Sequence, residues 1–366
     1  MGLVLAGAGH VHGLLIAFWQ AHPKRRPPGS ITLVSRQAVL VYSGLLPAVV
    51  AGLVPASAAR IPLRLACRTL GIRWVRGEII GLNPVTHGLH LADGRCLTYD
   101  RLSLDVGSVT ASVEAGELPL RPLEAAVPQL LAWAADPVRA PSPLRLRGGG
   151  ASAVELAFAL RARGLCSRMV LRSPALHLGS AAADQAVKQW LAAAGIALEP
   201  GPRPTTPAQL ACTGNRAPAW LAAAGLPVDH TTGRVLTEAT LEVRGWPGLF
   251  AAGDCALLPE APRPPAGVWA VQAVPVLAAN LRRGGGPGQR PLQRWTPPRQ
   301  ALQLLGDGGA VDGRPRALAL WGPWCLGPWA VLWWLKLALD HRFVRRLRHR
   351  PQLHRTRPRS NNASAA

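Results

Sequence analysis

The sequence predicts an α/β fold that contains two similar strand–turn–helix units. Each unit starts with a short segment of the length of a buried strand, at residues 3–5 and 144–147, and a glycine cluster and a helix-compatible segment follow directly. A third, apolar strand is predicted at residues 248–252 and ends in Gly253 and Asp254. Strands that alternate with helical segments are typical of parallel sheets with helices on their faces.

The first glycine cluster lies in the segment LVLAGAGHVHG, at residues 3–13. Gly7 and Gly9 match the start of the pattern GxGxxG, and His12 stands at its third position. A dinucleotide pyrophosphate binds to such a turn, because glycines let the backbone approach the phosphates and the start of the helix offers free N–H groups. These three residues are predicted to form a dinucleotide site, although the pattern alone is a weak signal.

The second strand, at residues 31–34, ends in Ser35 and Arg36. A dinucleotide fold normally carries an acidic residue here, which accepts hydrogen bonds from the ribose hydroxyls. Ser35 is the predicted substitute for that acid. The loop YSGLLP, at residues 42–47, follows where the chain should pass near a bound cofactor.

The second glycine cluster follows the predicted strand at residues 144–147. Gly148, Gly150 and Ala153 match the pattern GxGxxA, in which alanine replaces the third glycine. The next predicted strand ends at Arg172. An arginine at this point suits a 2′-phosphate and favours NADP over NAD, and a surface arginine without that role is the alternative.

Composition bounds the class of protein. The chain has 366 residues, of which 49% are hydrophobic and 16% charged, so it suits two globular domains and is not generally disordered. The formal net charge is +22, but only three of the basic residues are lysines, so a GC-rich genome explains the excess as well as a polyanionic partner does. Nucleic-acid binding would rest on charge alone, and no RNA-binding or helix-turn-helix signature supports it.

The six cysteines are scattered and contain no CxxC pair. This spacing argues against a zinc site, a disulfide framework and a redox-active disulfide. Cys166, Cys325 and the others are predicted to be structural thiols, reduced as is usual in the cytoplasm, and no metal site is predicted.

The C-terminal region has a different character. Residues 317–335 are apolar and almost long enough to span a bilayer, which takes roughly 20 residues, but prolines, glycines and five tryptophans interrupt them. Arginines dominate the following residues, 336–359. The composition predicts a helical segment that lies on an anionic membrane surface without crossing it. A helix packed on the core with a disordered basic tail is the alternative.

Several segments together resemble one group of flavoproteins: GAGHVH, LVSR followed by YSGLLP, YDRLSLDVGS, GGGASAVELA, FAAGDCA and AGVWAVQ. The chain is similar, to about Arg348, to pyridine nucleotide-disulfide oxidoreductase-like proteins of the type fused N-terminally to selenide, water dikinase. These are relatives of type II NADH dehydrogenases and sulfide:quinone oxidoreductases. The resemblance implies two nested Rossmann-like domains, an FAD domain at residues 1–120 and 225–305 and an inserted NAD(P)-binding-like domain at 121–224, and a C-terminal segment at 306–366.

The resemblance also implies the site residues. FAD would be bound by Gly7, Gly9, His12, Ser35, Arg36, Gly253 and Asp254. NAD(P)H would be bound by Gly148, Gly150, Ala153 and Arg172. Residues near the flavin and the electron acceptor would be Glu155, Tyr42, Pro47 and Gln272.

The implied function is electron transfer from NAD(P)H through FAD to a quinone or another small-molecule acceptor. The enzyme would be cytoplasmic or peripheral to the inner face of a membrane. Ser152 and Ala153 stand where glycines are usual in the group, so a flavin-binding protein without nicotinamide turnover is the alternative.

Overall fold

The computed structural model describes residues 2–136, 141–165, 168–200, 208–284 and 291–348. Cys166, residues 285–288 of the glycine-rich linker and the arginines beyond residue 348 therefore lie outside the described residues. The helices of the described part are α1 (His10–Ala21), α2 (Leu46–Val50), α3 (Arg64–Thr69), α4 (Leu123–Ala135), α5 (Ala151–Ala162), α6 (Ala181–Ala193), α7 (Trp220–Ala223), α8 (Gly267–Arg283) and α9 (Ala330–Leu347).

The strands fall into two five-stranded parallel sheets and several smaller sheets, of which β17–β19 is parallel and the others are antiparallel. They are β1 (Gly2–Ala6), β2 (Ser30–Ser35), β3 (Val39–Val41), β4 (Arg60–Pro62), β5 (Ile72–Arg76), β6 (Ile79–Asn83), β7 (Gly88–Leu91), β8 (Cys96–Thr98), β9 (Arg101–Leu104), β10 (Val109–Thr110), β11 (Leu118–Pro119), β12 (Leu144–Arg147), β13 (Met169–Arg172), β14 (Ile196–Glu199), β15 (Leu210–Ala211), β16 (Asn215–Arg216), β17 (Val235–Leu236), β18 (Leu249–Ala251), β19 (Ala256–Leu257), β20 (Gln303–Gly306), β21 (Ala317–Trp321) and β22 (Trp324–Trp329).

The first parallel sheet has the strand order β18-β9-β1-β2-β5. Its central strands are almost entirely buried, as expected for a sheet that is covered on both faces. Helix α1 follows β1 and packs against α8. Because β18 joins a sheet whose other strands precede residue 105, this sheet combines the start of the chain with a much later segment.

The second parallel sheet has the order β11-β15-β12-β13-β14, and α5 follows β12. The short antiparallel pair β10–β16 lies where the chain leaves the first sheet and where it returns. Each sheet thus has a strand, a glycine turn and a helix at its centre. The predicted α/β fold with two Rossmann-like units is confirmed.

The C-terminal segment differs from the expectation of a helical segment throughout. Strands β20, β21 and β22 form an antiparallel sheet, so the first part of the apolar stretch is a β-hairpin, and only α9 is helical. Gly322, with φ 54°, stands beside Pro323 in the hairpin turn. The helix begins after Pro328, because proline cannot continue a helical hydrogen-bond pattern. A tryptophan-rich apolar run is compatible with a strand or with a helix, so the sequence does not distinguish them.

Helix α9 is two-sided. Its buried residues recur at helical spacing and face α1, β20 and β21. They are Trp333, Lys336, Asp340, Phe343, Val344 and Leu347. The packing of the helix on the core agrees with the alternative considered above, while the opposite face is exposed. Across the described residues, no helix combines the length and the apolar character that crossing a membrane would require.

Candidate active site

One large cavity, of about 1440 Å³, is lined by residues that follow the carboxyl ends of strands from both parallel sheets. Ligands of open α/β sheets bind at this edge. Most of the predicted site residues line the cavity: Gly7, Gly9, Ser35, Arg36, Gly253, Asp254, Gly148, Gly150, Ala153, Arg172 and Glu155. The structure therefore brings both glycine turns to one space.

The first glycine turn requires its two glycines. Gly7 has φ 92°, and a Cβ there would clash with the carbonyl group of Asp105. A Cβ on Gly9 would clash with the carboxylate of the same aspartate. The turn is closed by a hydrogen bond from the Gly7 N–H to the Val34 carbonyl oxygen, at 2.9 Å. Only glycine keeps the backbone exposed to a ligand at this point.

His12 replaces the third glycine without opening the helix–sheet contact. Its ring is fully buried beneath the turn and is not part of the cavity lining. Burial lowers its pKa to about 4, so the ring is neutral. Nδ1 then donates to the Gly7 carbonyl oxygen at 2.7 Å, and Nε2 accepts from the Ser103 hydroxyl at 2.9 Å. The buried side chain of His12 thus stabilises the turn from beneath by a hydrogen bond to Gly7.

Asp105 lies between the turn and the start of α1. Its carboxylate accepts the N–H of His12 at 2.8 Å and also that of Val11. Burial, with the charge of Asp254 nearby, raises the pKa of Asp105 to about 7. The first N–H groups of the helix are therefore partly satisfied by a carboxylate of the chain itself, and that carboxylate forms part of the cavity wall.

Asp254 follows β18 on the same side of the cavity. Its Oδ2 accepts a hydrogen bond from the Ser108 hydroxyl at 3.4 Å and lies 3.6 Å from Nη1 of Arg121. Gly253 has φ 74°, and a Cβ there would contact Asp105. The turn after β18 and the first glycine turn therefore both pack against Asp105.

At the end of β2, Ser35 stands where an acidic residue is usual, and another segment supplies a carboxylate nearby. Ser35 donates to the carbonyl oxygen of Gln37 at 2.7 Å and accepts from Nε1 of Trp74 at 3.0 Å. Arg36 forms an ion pair of 2.7 Å with Glu78, which comes two residues after β5 and also lines the cavity. A carboxylate that follows the neighbouring strand thus lies within ion-pair distance of Arg36 and lines the same cavity.

The second glycine turn has the same construction. A Cβ on Gly148 would clash with the Cys212 carbonyl oxygen, whereas the space next to Gly150 is open. The methyl group of Ala153 is completely buried, so alanine fits at the third position. Nε of Arg172 lies 3.0 Å from the carboxylate of Glu199, at the end of β14.

A polar cluster joins α5, α9 and the loop after β3. Oε1 of Glu155 accepts the Gly306 N–H at 3.0 Å and lies 3.5 Å from Nζ of Lys336. The same ammonium group lies 3.5 Å from Oδ2 of Asp340. The Tyr42 hydroxyl donates to Oδ1 of Asp340 at 2.7 Å. We call these four side chains the Lys336 cluster.

Burial shifts the titration of the Lys336 cluster. It raises the pKa of Glu155, against the opposing effect of Lys336. Burial lowers the pKa of Lys336, but Glu155 and Asp340 outweigh it, so the net shift is upward and the amine stays charged. Burial and Asp340 raise the pKa of Tyr42, which keeps its proton. The upward pKa shifts of Glu155, Lys336 and Tyr42 all favour protonated groups next to the cavity, which Glu155 lines.

An aromatic group adjoins this cluster. The Tyr42 ring stacks on Phe343 of α9 with centroids 4.3 Å apart, and His10 contacts both rings. Pro47, in α2, and Gln272, in α8, do not line the cavity, and Oε1 of Gln272 is buried with no hydrogen-bond partner among the described residues. Of the four residues predicted near the flavin, the structure brings Glu155 and Tyr42 together.

The described cysteines are all free. Burial raises the pKa of Cys67 to about 11 and those of Cys212 and Cys255 to about 12, so these three remain protonated thiols. Cys325 is half-buried on β22. Within the described ranges, no group of histidine, cysteine and carboxylate side chains is arranged to hold a metal ion.

The sequence reasoning missed several residues of the site. Asp105 is part of the segment YDRLSLDVGS, but its position under the first turn depends on the pairing of β9 with β1. Lys336 and Asp340 are spaced i, i+4 in an otherwise apolar segment, and this pattern is a signal for a buried ion pair. Glu78 gave no local signal, because its role depends on the neighbouring strand.

The fold, with its two parallel sheets and paired glycine turns, is shared with several solved structures of oxidoreductases. Among solved structures, the chain is similar to the sulfide:quinone oxidoreductase from the hyperthermophilic bacterium Aquifex aeolicus, with 15% identity and a TM-score of 0.69 over 95% of this chain and 91% of that chain. The resemblance stated from the sequence is confirmed at the level of the fold.

Two further solved structures are similar over most of their length. One is a ferredoxin reductase from Rhodopseudomonas palustris, with 19% identity and a TM-score of 0.67 over 87% of this chain and 81% of that chain. The other is the water-forming NADH oxidase from Lactobacillus brevis bound to NADH, with 16% identity and a TM-score of 0.65 over 87% of this chain and 74% of that chain. No protein-family model and no curated protein matches the chain.

Replacing Lys336 by methionine should destabilise the protein by about 3–5 kcal/mol, because Glu155 and Asp340 would lose the buried cation between them. Urea unfolding measures the change. Lys188→Met is the matched control, since Lys188 is exposed on α6, and it should change the free energy of unfolding little. Equal stability of the two variants would contradict the assigned role of Lys336.

Proposed function

We propose that the chain is an FAD-dependent oxidoreductase that takes electrons from NAD(P)H and passes them to a small-molecule acceptor. The observation that carries the proposal is the shared cavity: two glycine turns, each between a strand of a parallel sheet and the helix that follows it, open onto it together with Asp254. Such turns bind dinucleotides, and two of them facing one cavity suit a donor and a cofactor that exchange electrons.

The first site fits FAD. Gly7, Gly9 and Gly253 leave no room for a Cβ, so the chain surface there is bare backbone. The start of α1 lies at this surface, and its dipole favours an anionic group, while Asp105 already accepts the N–H groups of Val11 and His12. Asp254, held by Arg121 and Ser108, would accept from hydroxyl groups of the cofactor. The proposed FAD ligands are Gly7, Gly9, Ser35, Arg36, Gly253 and Asp254, with His12 behind the turn.

The second site fits a nicotinamide dinucleotide. Gly148, Gly150 and Ala153 form its turn, and Arg172 lies at the end of the next strand. We propose residues 121–224 as the domain that binds NAD(P)H, residues 1–120 and 225–305 as the domain that binds FAD, and residues 306–366 as a separate C-terminal segment. The NADH-bound oxidase with the same fold supports this assignment.

A bound flavin would supply the redox chemistry itself. The chain's own residues then position the groups around it and exchange protons. Glu155 is the proposed proton-exchanging residue, because its pKa is raised and it lines the cavity. Lys336 and Asp340 hold Glu155 and Tyr42 in place. We propose that Pro47 lies beside the flavin ring and Gln272 on the acceptor side, as the resemblance implies.

We propose a quinone as the acceptor, because α9 joins the Lys336 cluster to an exposed apolar surface. The inner face of α9 carries Lys336, and its outer face carries exposed Trp334 and Leu339. A helix is roughly 10 Å across, so a lipid-soluble molecule at the outer face is close to the cluster. The similar structure from Aquifex aeolicus is a sulfide:quinone oxidoreductase, which agrees with this choice.

The exposed surface itself suits the inner face of a membrane. Trp324 on the hairpin and Trp334 on α9 are each 67% exposed, and other large apolar side chains continue the patch. Arg342, Arg345 and Arg346 are exposed on the same helix. Tryptophan suits the bilayer interface, and each arginine adds about 1 kcal/mol of attraction to anionic head groups. We propose peripheral attachment of a cytoplasmic enzyme through this patch.

The purified protein should be yellow and contain FAD, and Asp254→Ala should lose the cofactor, because FAD would lose a charged hydrogen-bond partner worth roughly 1.5–3 kcal/mol. The absorbance spectrum and flavin titration of the apoprotein measure this. Glu260→Ala, which removes an exposed carboxylate, should retain FAD. A colourless protein that cannot be reconstituted with FAD would overturn the proposed function.

The double variant Trp324→Ser, Trp334→Ser should lose most of its binding to anionic liposomes, because two exposed interfacial side chains are removed. Co-sedimentation at low and high salt measures the binding, which should fall as salt screens the arginines. Val85→Ser is the control, since Val85 is 77% exposed and lies outside the patch. Liposome binding that is unchanged in the double variant would exclude this surface.

A further inference from the structure

Both parallel sheets repeat one arrangement at the end of the strand that follows the glycine turn and its helix, β2 in the first sheet and β13 in the second. The first glycine of each turn donates its N–H to a carbonyl there: Gly7 to Val34 at 2.9 Å and Gly148 to Arg172 at 2.8 Å. Val34 and Arg172 are therefore equivalent positions. The next residue is a serine in both sheets, Ser35 and Ser173.

Both serines use their hydroxyl hydrogen in the same way. Ser35 donates to the carbonyl oxygen of Gln37 at 2.7 Å, and Ser173 donates to that of Ala175 at 2.5 Å. Ser35 also accepts a hydrogen bond from Trp74. Each hydroxyl hydrogen fixes the local turn, and a hydroxyl oxygen lacks the charge of the carboxylate that usually binds ribose hydroxyls at this point.

In each sheet a glutamate on or after the next strand pairs with an arginine at this edge. Glu78 follows β5 and pairs with Arg36 at 2.7 Å, and Glu199 ends β14 and pairs with Arg172, its register partner, at 3.0 Å. The two glutamates do not occupy equivalent positions, because Glu199 lies within its strand and Glu78 lies beyond the end of β5. Ser35, Arg36, Glu78 and Arg172 line the cavity, whereas Glu199 touches it only through its arginine.

Stability does not explain the pair Arg36–Glu78, whereas Arg172 of the second pair is buried. Arg36 and Glu78 are each about half exposed, and exposed ion pairs contribute little, about 0–1 kcal/mol. Both pairs occur at the edge of a parallel sheet beside a glycine turn, where the adenosine ribose of a dinucleotide is bound. A charged acceptor held at that edge suits the ribose diol.

We propose that Glu78 and Glu199 recognise the adenosine riboses of FAD and of the nicotinamide dinucleotide, respectively, each held in place by its arginine. This inference rests on the proposed function and adds the residues that select the ligand. Arg172 considered alone favours NADP, whereas the pair Arg172–Glu199 favours NAD.

The second pair then selects NADH. Arg172 lies 3.0 Å from Glu199, whereas the nearby Glu117 is paired with Arg147 at 2.5 Å. A 2′-phosphate would have to compete with Glu199 for Arg172 and would be repelled by the Glu199 carboxylate. An unmodified ribose keeps the pair intact and donates its hydroxyl hydrogens to Glu199.

The test of Glu199 uses two ligands without redox chemistry, ADP-ribose and 2′-phospho-ADP-ribose, titrated into the flavin-loaded protein by calorimetry. We expect the unmodified protein to prefer ADP-ribose about tenfold or more, and Glu199→Gln to reduce that preference by at least about tenfold. Glu124→Gln, which changes an exposed carboxylate of α4 in the same cavity, should keep it. An equal or stronger affinity for the phosphorylated ligand, or an unchanged ratio in Glu199→Gln, would overturn the proposal.

The test of Glu78 uses FAD and its 2′-deoxyadenosine analogue with the flavin-free protein. The unmodified protein should bind the analogue about tenfold more weakly, whereas Glu78→Gln should bind both flavins with similar, weakened affinity. If the unmodified protein and Glu78→Gln both bound the analogue more weakly than FAD by the same factor, Glu78 would not contact the ribose. The FAD site itself would still be established. A protein that binds neither flavin would overturn the proposed function together with this inference.

Discussion

The buried ammonium group of Lys336 connects parts of the chain that are far apart in sequence. It lies between Glu155 of α5 and Asp340 of α9, and it donates to the carbonyl oxygen of Gly44 in the loop after β3. Removing one partner of a buried ion pair costs more than the pair contributes, so the three segments depend on one another. The cavity wall next to Glu155 is therefore built only when the C-terminal helix is in place.

A second constraint acts at the first glycine turn. Asp105 occupies the space that a Cβ on Gly9 or Gly253 would need, and it accepts N–H groups at the start of α1. The turn after β1 and the turn after β18 are thus fixed against one side chain. This explains why the two turns require glycine at these positions.

Local patterns allowed the sequence to predict the elements that carry the glycine turns, since strand, turn and helix follow one another within about 20 residues. The role of His12 could not be predicted, because its ring fits only where Ser103 of β9 supplies a partner. The sequence pattern wrongly predicted a helix for the hairpin β21–β22, because an apolar run gives no periodic signal. The pairs Arg36–Glu78 and Lys336–Glu155 join distant segments and have no local signature.

The central claim is that the two glycine turns hold a donor and a flavin that exchange electrons across one cavity. Anaerobic titration of the purified protein with NADH, followed by flavin absorbance, tests it most directly. The account predicts that the flavin absorbance bleaches in proportion to the added NADH. A flavin that dithionite bleaches but that neither NADH nor NADPH reduces would contradict the account.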